Sequence, residues 1–435
     1  MLIYDPYWPF SGLSRLVLIA IREWLNSSSS EAQELQADTA LEAADIKRRK
    51  EFEDLIRKGR PAIALDFGTG NSQIAYCTEA NAVPKLISVN GKNKIPTAIY
   101  YNEELHSTLI GNEAKNEIDY QLVKAENDIS RIDSVFRNYM AFFKTIFCAK
   151  DTAYDEASPL FKGNGTFFSW GEVVTEFFKF FKTQAEQAVF HGESVEGICI
   201  TCPVAFPSKA LYEEAAQQAG FTFVDFMEEP RAAYLGYMQD GVTLGDNVLV
   251  FDMGGGTLDI AFLQKDNATW KVTKTPMRID AAGDHLDHHI LQDILSQVQA
   301  SHPDLKHYNG DAQFLKYIRE KVKEPLGARV VDCADIRYFF DRYEQSFKGS
   351  ITQEHFDKLV MQCMEEKAVF TKLHEYIDSL GVPVDSILMV GGSSQLKCLQ
   401  ERMKQEFNGI NVYAPHDGDS VVARGALSLL PMENK

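Results

Sequence analysis

Two short patterns of one design stand 186 residues apart and constrain this chain more than any other feature. In the first, the apolar run Ala62-Ile63-Ala64-Leu65 enters Asp66-Phe67-Gly68-Thr69-Gly70-Asn71-Ser72, and Ile74-Ala75-Tyr76 follows. In the second, Val248-Leu249-Val250-Phe251 enters Asp252-Met253-Gly254-Gly255-Gly256-Thr257-Leu258-Asp259, and Ile260-Ala261-Phe262-Leu263 follows. A strand, a glycine turn and a second strand make a hairpin. Rossmann and Walker loops feed a helix instead, so neither is present here. Recurrence at this distance predicts an internally duplicated α/β architecture, not a short solenoid repeat.

The residue types suggest chemistry. Glycines let successive N–H groups approach phosphate oxygens with no side chain in the way. Threonine hydroxyls add donors. An aspartate at each strand end, the two facing across a cleft, suits the hydration shell of Mg²⁺, which keeps most of its waters. Two ordinary tight turns would explain either loop alone. They do not explain the same aspartate at both strand ends. A third glycine element follows the apolar run Ser386-Ile387-Leu388-Met389-Val390. Gly391-Gly392-Ser393-Ser394-Gln395 then precedes a helical pattern through Leu396, Leu399 and Met403. Strand, Gly-Gly-Ser and helix suit backbone contact with a nucleoside and its phosphate.

Composition narrows the function classes. A chain of 435 residues has room for two or three domains. It carries 44 basic against 62 acidic residues, a net charge of −18, which argues against a general nucleic-acid binder. A nucleotide needs only a local set of donors. Seven cysteines are too few for a disulfide scaffold and fit a reducing, cytoplasmic setting. The C-x-x-C of Cys199 and Cys202 lies inside an apolar strand-like run and reads as buried structure.

Residues 1–60 form a separate N-terminal helical extension. The run Leu16–Ile21 is bracketed by Arg15 and Arg22 and is too short for a membrane span. It reads as a helix docking on its own protein or on a partner. The alternative is a membrane-surface helix anchored by Trp8, Phe10 and Trp24. A second helix opens at Ser30 with Gln33 in capping-box position. Leu35, Leu41, Ile46, Phe52, Leu55 and Ile56 form its loose apolar face, and Lys47-Arg48-Arg49-Lys50 reads as solvated.

These elements, in this order, resemble the actin-like ATPase superfamily of actin, sugar kinases and 70-kDa heat-shock chaperones. The intervening sequence resembles the chaperones. Ile200-Thr201-Cys202-Pro203-Val204-Ala205-Phe206 is similar to their T-V-P-A-Y-F run. Glu228-Glu229-Pro230-Arg231-Ala232-Ala233 is similar to N-E-P-T-A-A. Gly283-Asp284-His285-Leu286-Asp287 resembles G-E-D-F-D, and Ser420-Val421-Val422-Ala423-Arg424-Gly425-Ala426 resembles E-A-V-A-Y-G-A. The resemblance covers residues 61–430. It implies two duplicated lobes with a nucleotide cleft between them. Lobe I would span 61–245 with a C-terminal helix from 425 to 435, and lobe II 246–424.

The resemblance also implies roles. ATP or ADP phosphates would be held by Gly68, Thr69, Gly70, Asn71, Gly254, Gly255, Gly256 and Thr257. Asp66 and Asp252 would hold the Mg²⁺ waters. Asp259 would support the ion or orient the attacking water, with Glu229 nearby. Lys144 would face the γ-phosphate, with Arg137 as the alternative. Gly283, Glu320, Lys323, Gly391, Gly392, Ser393 and Asp419 would line the nucleoside end. Glu324 and Gln395 stand where the family stacks arginine on adenine. The loss is worth about 1 kcal/mol per face, so weaker or less base-selective binding is expected. Glu228 and Arg231 replace the family's Asn and Thr and add charge nearby.

After the last of these elements the sequence presents no recognisable peptide-binding β-sandwich. The expectation is a slow chaperone-type ATPase that signals to a co-chaperone or client. The competing readings are a nucleotide-gated interaction module, a small-molecule kinase and a filament former.

Overall fold

Both hairpins form, and each seeds a sheet of the same topology. The computed structural model describes residues 45–79, 82–125, 135–141, 143–148, 157–163, 165–266, 269–305, 312–340, 345–414 and 420–429. The helix expected at 14–25, the capping box at Ser30 and the nucleoside residue Asp419 lie outside them. Two compact units result: residues 1–242 with 420–435, and residues 243–419. The division falls three residues before the expected 245/246 boundary. The whole of the last helix, from Ser420, belongs to the first unit.

The first unit opens with helix α1, residues 45–57. Strand β1 (Ala62–Phe67) turns into β2 (Asn71–Tyr76), and β3 (Lys85–Leu86) and β4 (Ile95–Pro96) both pair with β2. A small antiparallel sheet follows, of β5 (Ala98–Asn102), β6 (Ser107–Ile110) and β7 (Tyr139–Ala141), with α2 (Asn112–Ala125) packed on it. After a 3₁₀ turn (Phe143–Cys148) and the hairpin β8 (Ala157–Gly163) to β9 (Thr166–Ser169) comes α3 (Trp170–Ala188). Its start is fixed by a Ser169/Glu172 capping box. Then come β10 (Gly197–Cys202), α4 (Lys209–Gln218), β11 (Phe223–Glu228) and α5 (Glu229–Gln239). The large sheet runs β11-β10-β1-β2-β3, parallel across the first three strands and antiparallel beyond.

The second unit repeats this plan. Its sheet runs β19-β18-β12-β13-β14, from β12 (Asn247–Met253), β13 (Leu258–Asp266), β14 (Thr269–Val272), β18 (Ser386–Val390) and β19 (Asn411–Tyr413). It too is parallel, parallel, then antiparallel, with β15 (Met277–Ile279) off β13 where β4 lies off β2. Helix α6 (Gly283–Ser301) and α7 (Ala312–Ile318) follow β15. A π-turn, Arg319–Lys323, leads to α8 (Glu324–Gly327). The hairpin β16 (Cys333–Phe340) to β17 (Gln345–Thr352) and helices α9 (Gln353–Glu366) and α10 (Val369–Asp378) precede β18. Helix α11 (Lys397–Glu406) links β18 to β19, and α12 (Ser420–Ala426) belongs to the first unit again.

Each unit has its own apolar core. That of the first is aromatic and sits directly under the glycine turn. Phe67 makes edge-on contacts with Phe143, Phe177, Phe178, Phe181 and Tyr212, at centroid distances of 5.4–6.3 Å. Each such pair contributes about 0.5–1.5 kcal/mol beyond its buried area. Phe67 neighbours Asp66 in the chain and Phe143 neighbours Lys144, so this cluster fixes the backbone that carries both polar groups.

One expectation is corrected here. The basic run in α1 is not uniformly solvated. Lys47 and Lys50 are exposed, but Arg49 is buried. Its helix lies on the sheet, and the chain supplies acids and carbonyls for it. Ile46 is 69% exposed and is not part of the apolar face, while Phe52, Leu55 and Ile56 are buried.

Candidate functional site

In the first unit the β1–β2 turn is tight. A Cβ on Gly68 would lie 2.1 Å from the Asn71 carbonyl oxygen, so only glycine fits without rebuilding the turn. Thr97 holds the turn from below: its hydroxyl donates to the Gly68 carbonyl at 2.8 Å, and its N–H donates to Gly70 at 3.0 Å. Asp66, at the strand end, accepts from the Thr201 hydroxyl of β10 at 2.7 Å. The parallel pairing of Leu65 with Ile200 sets that approach.

Lys144 stands on the 3₁₀ turn and donates to Glu229 Oε1 at 2.8 Å. Burial alone would depress the ammonium, but Glu229 and Asp66 beside it outweigh this and hold it above the ordinary lysine range. Lys144 is therefore held in its charged form at neutral pH. Glu229 opens α5 next to Pro230, the favoured first-turn arrangement. Arg137, the alternative cation, is exposed.

In the second unit three loops converge. The Gly254 carbonyl accepts from the Gly283 N–H at 3.1 Å and from the Ser393 hydroxyl at 2.8 Å. The Asp284 N–H donates to the Gly255 carbonyl at 2.8 Å. Gly391 has φ +84°, and a Cβ there would lie 2.5 Å from the Met253 carbonyl and 2.6 Å from Asp252 Oδ1. Glycine at 391 thus lets the β18 loop close on the end of β12 beside Asp252. Asp259 faces Asp252 across the hairpin register. It accepts from the Thr257 hydroxyl at 2.8 Å and from Arg278 Nε at 2.7 Å.

The nucleoside-end residues are arranged less simply. Lys323 donates to Asp287 Oδ1 at 2.6 Å and to the Gly283 carbonyl at 3.0 Å. Arg319 Nε donates to the other oxygen of Asp287 at 2.7 Å. Asp287 is 1% exposed, so two cations share one buried carboxylate. Burial pushes neighbouring Asp284 up, with Arg319 opposing. Glu320 and Glu324 are exposed on the π-turn and the start of α8, and Gln395 is half-buried.

The first unit thus brings together Asp66, Gly68, Thr69, Gly70, Asn71, Lys144 and Glu229. The second brings together Asp252, Gly254, Gly255, Gly256, Thr257, Asp259, Gly283, Lys323, Gly391, Gly392 and Ser393. Thr97, Thr201, Arg278 and Arg319 complete these sets and were not singled out from sequence. Only Thr201 carried a signal, as the one polar side chain besides cysteine in an otherwise apolar strand.

Among the described residues no three His, Cys, Asp or Glu side chains gather as a direct metal cage. Single aspartates at strand ends fit a hydrated Mg²⁺ tethered by one or two carboxylates and phosphate. They do not fit zinc or calcium. Cys199 and Cys202 are buried on β10, and burial pushes both thiols up, so they are inert structure. Among the described residues no helix is long and apolar enough to cross a membrane.

The family model described as Hsp70 protein matches residues 62–429. Heat shock cognate 70 kDa protein 3 of Dictyostelium discoideum is 26% identical over 389 residues, which cover 84% of this chain. That match spans 59% of the relative's own length. Duplicated sheets, paired aspartate hairpins and a family match over most of the chain agree: it belongs to the Hsp70 family and has the actin-like ATPase fold.

Proposed function

We propose that the chain binds ATP with Mg²⁺ through its Asp66 and Asp252 loops and hydrolyses it slowly, as a chaperone-type ATPase. The observation that carries this reading is the buried Lys144–Glu229 pair beside Asp66 at the end of the first hairpin. A buried ion pair is a poor stabiliser by itself. Next to a glycine turn and the aspartate that ends its strand, it makes sense as a preorganised positive charge for phosphate.

Bound Mg²⁺ would supply charge neutralisation and ordered waters, tethered through Asp66 and Asp252. The chain's own residues would do the rest. Backbone N–H groups at Thr69, Gly70, Gly254 and Gly255 would cradle phosphate oxygens. Lys144 would face the γ-phosphate, with Glu229 fixing its rotamer and Thr201 fixing Asp66. Asp259, steadied by Arg278 and Thr257, would orient the attacking water. Phosphoryl transfer to water needs mainly positioning and charge stabilisation, which this set provides. Gly283, Lys323, Ser393, Gly391 and Gly392 would line the nucleoside end, with Glu320 at its rim and Asp419 beyond the described residues. A co-chaperone or client protein would be the partner, and the cytoplasm the setting.

The test is calorimetric titration of ATP, ADP and GTP with Mg²⁺, then phosphate release on the same sample. Micromolar ATP binding and slow release, both lost in Asp252→Ala, are expected. No binding of any nucleotide would overturn the proposal. Glu324 and Gln395, which offer no guanidinium face to adenine, favour a second reading: a nucleotide-gated interaction module. Binding without release, with ATP and GTP held equally, would select it.

A further inference from the structure

Arg49 uses its whole guanidinium inside the first unit. Nε donates to Glu53 at 3.1 Å, Nη1 to Asp225 at 3.0 Å and to the Ala426 carbonyl at 2.9 Å, and Nη2 to the Ser428 carbonyl at 2.5 Å. One side chain thereby joins three segments: α1, strand β11 and the end of α12. The carbonyls it reaches lie at the C-terminal end of α12, where a cation also complements the helix dipole. Asp225 is 1% exposed, and burial holds its carboxyl above the ordinary range even with Arg49 opposing. Without Arg49 it would be a buried acid with its main cation gone.

The surface under α1 is shaped for a helix. A Cβ on Gly197, at the start of β10, would lie 2.4 Å from Leu55 and 3.1 Å from Phe52. The bare backbone there is what lets both side chains seat. At the rim, Arg48 pairs with Asp45 and Glu213 and lies over Phe226, and Lys209 pairs with Asp45. Glu228 and Arg231, two of the positions that depart from the chaperone pattern, belong to the same charged field. Glu228 feels Lys209, Arg231 and Asp45, and Arg231 feels Arg49, Glu228, Asp225 and Glu53. Their charges answer to α1 and its surroundings.

We infer that the first unit carries a helix-binding groove, with Asp225 at its floor and the Ala426 and Ser428 carbonyls at its end, and that residues 45–57 are its tethered ligand. The mode is an amphipathic helix in a groove, with apolar anchors at Phe52, Leu55 and Ile56 and a buried arginine as the specificity element. Arg49 is the hot spot, because truncating one partner of a buried, hydrogen-bonded charge pair costs far more than losing a rim charge. Strand β11 runs from Asp225 directly to Glu228 and Glu229, so occupancy of the groove is felt at the start of α5.

The test cuts the tether and asks whether the ligand stays. A sequence-specific protease site is inserted between Gly59 and Arg60 of the full chain. Gly59 ends the helix with φ +70° and open space around it, so the insertion is tolerated. After cleavage, the N-terminal fragment is expected to co-elute with the remainder on gel filtration. A synthetic peptide of residues 45–58 is expected to displace the labelled fragment at a concentration at least about tenfold lower than the same peptide carrying Arg49→Ala. The peptides carry the substitution, so the measurement does not depend on whether an Arg49 variant of the whole chain folds. Release of the fragment on cleavage, or equal competition by the two peptides, would overturn the inference.

Discussion

The two glycine hairpins have the same topology but are held in different ways. In the first unit, Gly68 is closed from within: the turn folds so that Asn71 covers it, and Thr97 braces it from the bend between β4 and β5. In the second, Gly254 occupies the matching place with room beside it. Its nearest neighbour to an added Cβ would be the Thr257 carbonyl at 3.8 Å. That loop is held from outside, by Gly283 and Ser393 on its carbonyl. The charges differ as well. Asp66 stands near a buried lysine that a glutamate holds. Asp259 in the second unit is met by a half-exposed arginine. One duplicated hairpin thus supplies a rigid, charged half and a half whose shape depends on two further loops.

The largest expected effect separates the two cations. Lys144→Ala is expected to lower phosphate release about 100-fold, the usual scale for losing a preorganised charge at a developing anion. Arg278→Ala, acting through a half-exposed side chain, is expected to cost about tenfold or less. Single-turnover phosphate release with both variants measures this, and equal losses would break the comparison. The pH dependence follows from the sign of the lysine shift. Lys144 is raised above its ordinary 10.5. Its pairing with Glu229 therefore contributes fully below that value and fades only as pH rises through the higher folded-state value. Between pH 6 and 9 the rate should show no titration from Lys144.

Next in size is the pair of glycines at matching places. Gly68→Ala is expected to cost about 2 kcal/mol, because the new methyl meets backbone that cannot step aside. Gly254→Ala is expected to cost less than about 0.5 kcal/mol. Urea unfolding followed by probes in each unit would show it, since the units need not unfold together. The external braces come third. Ser393→Ala and Thr97→Val each remove a hydroxyl donor from a loop carbonyl, and each is expected to cost about 1 kcal/mol. If Thr97→Val were harmless, the first turn would not need its brace.

Much of this was legible in the sequence because hairpins are local. The strands at Ala62, Ile74, Val248 and Ser386 show as short apolar runs, and the glycines between them leave one kind of connection. What the sequence hid was long-range. Arg49 sits in a basic run that looks solvated, and all but one of the partners named above, Glu53, are 176 to 379 positions away. No periodicity carries that information. The pairing of Arg278 with Asp259 and of two cations with Asp287 was hidden for the same reason: register across β13 and β15, and the π-turn, decide which charges meet.

The smallest effect on the fold is also the most informative about the ligand. Gly255 stands where the first hairpin has Thr69. An added Cβ at Gly255 would meet nothing within 4 Å, and its φ lies outside the left-handed region. The fold therefore gives no reason for glycine there. Gly255→Thr, which copies the first loop, is expected to shift stability by no more than about 0.5 kcal/mol. If the backbone at this point lies against phosphate, the same variant should weaken ATP binding about tenfold, because a side chain would hold the N–H away from the oxygens. Calorimetry and unfolding on one preparation read both quantities. Stability and affinity falling together would mean the glycine serves the fold after all. Neither changing would mean that the nucleotide rests on other parts of the loop, and the asymmetry between the two hairpins would then be one of packing alone.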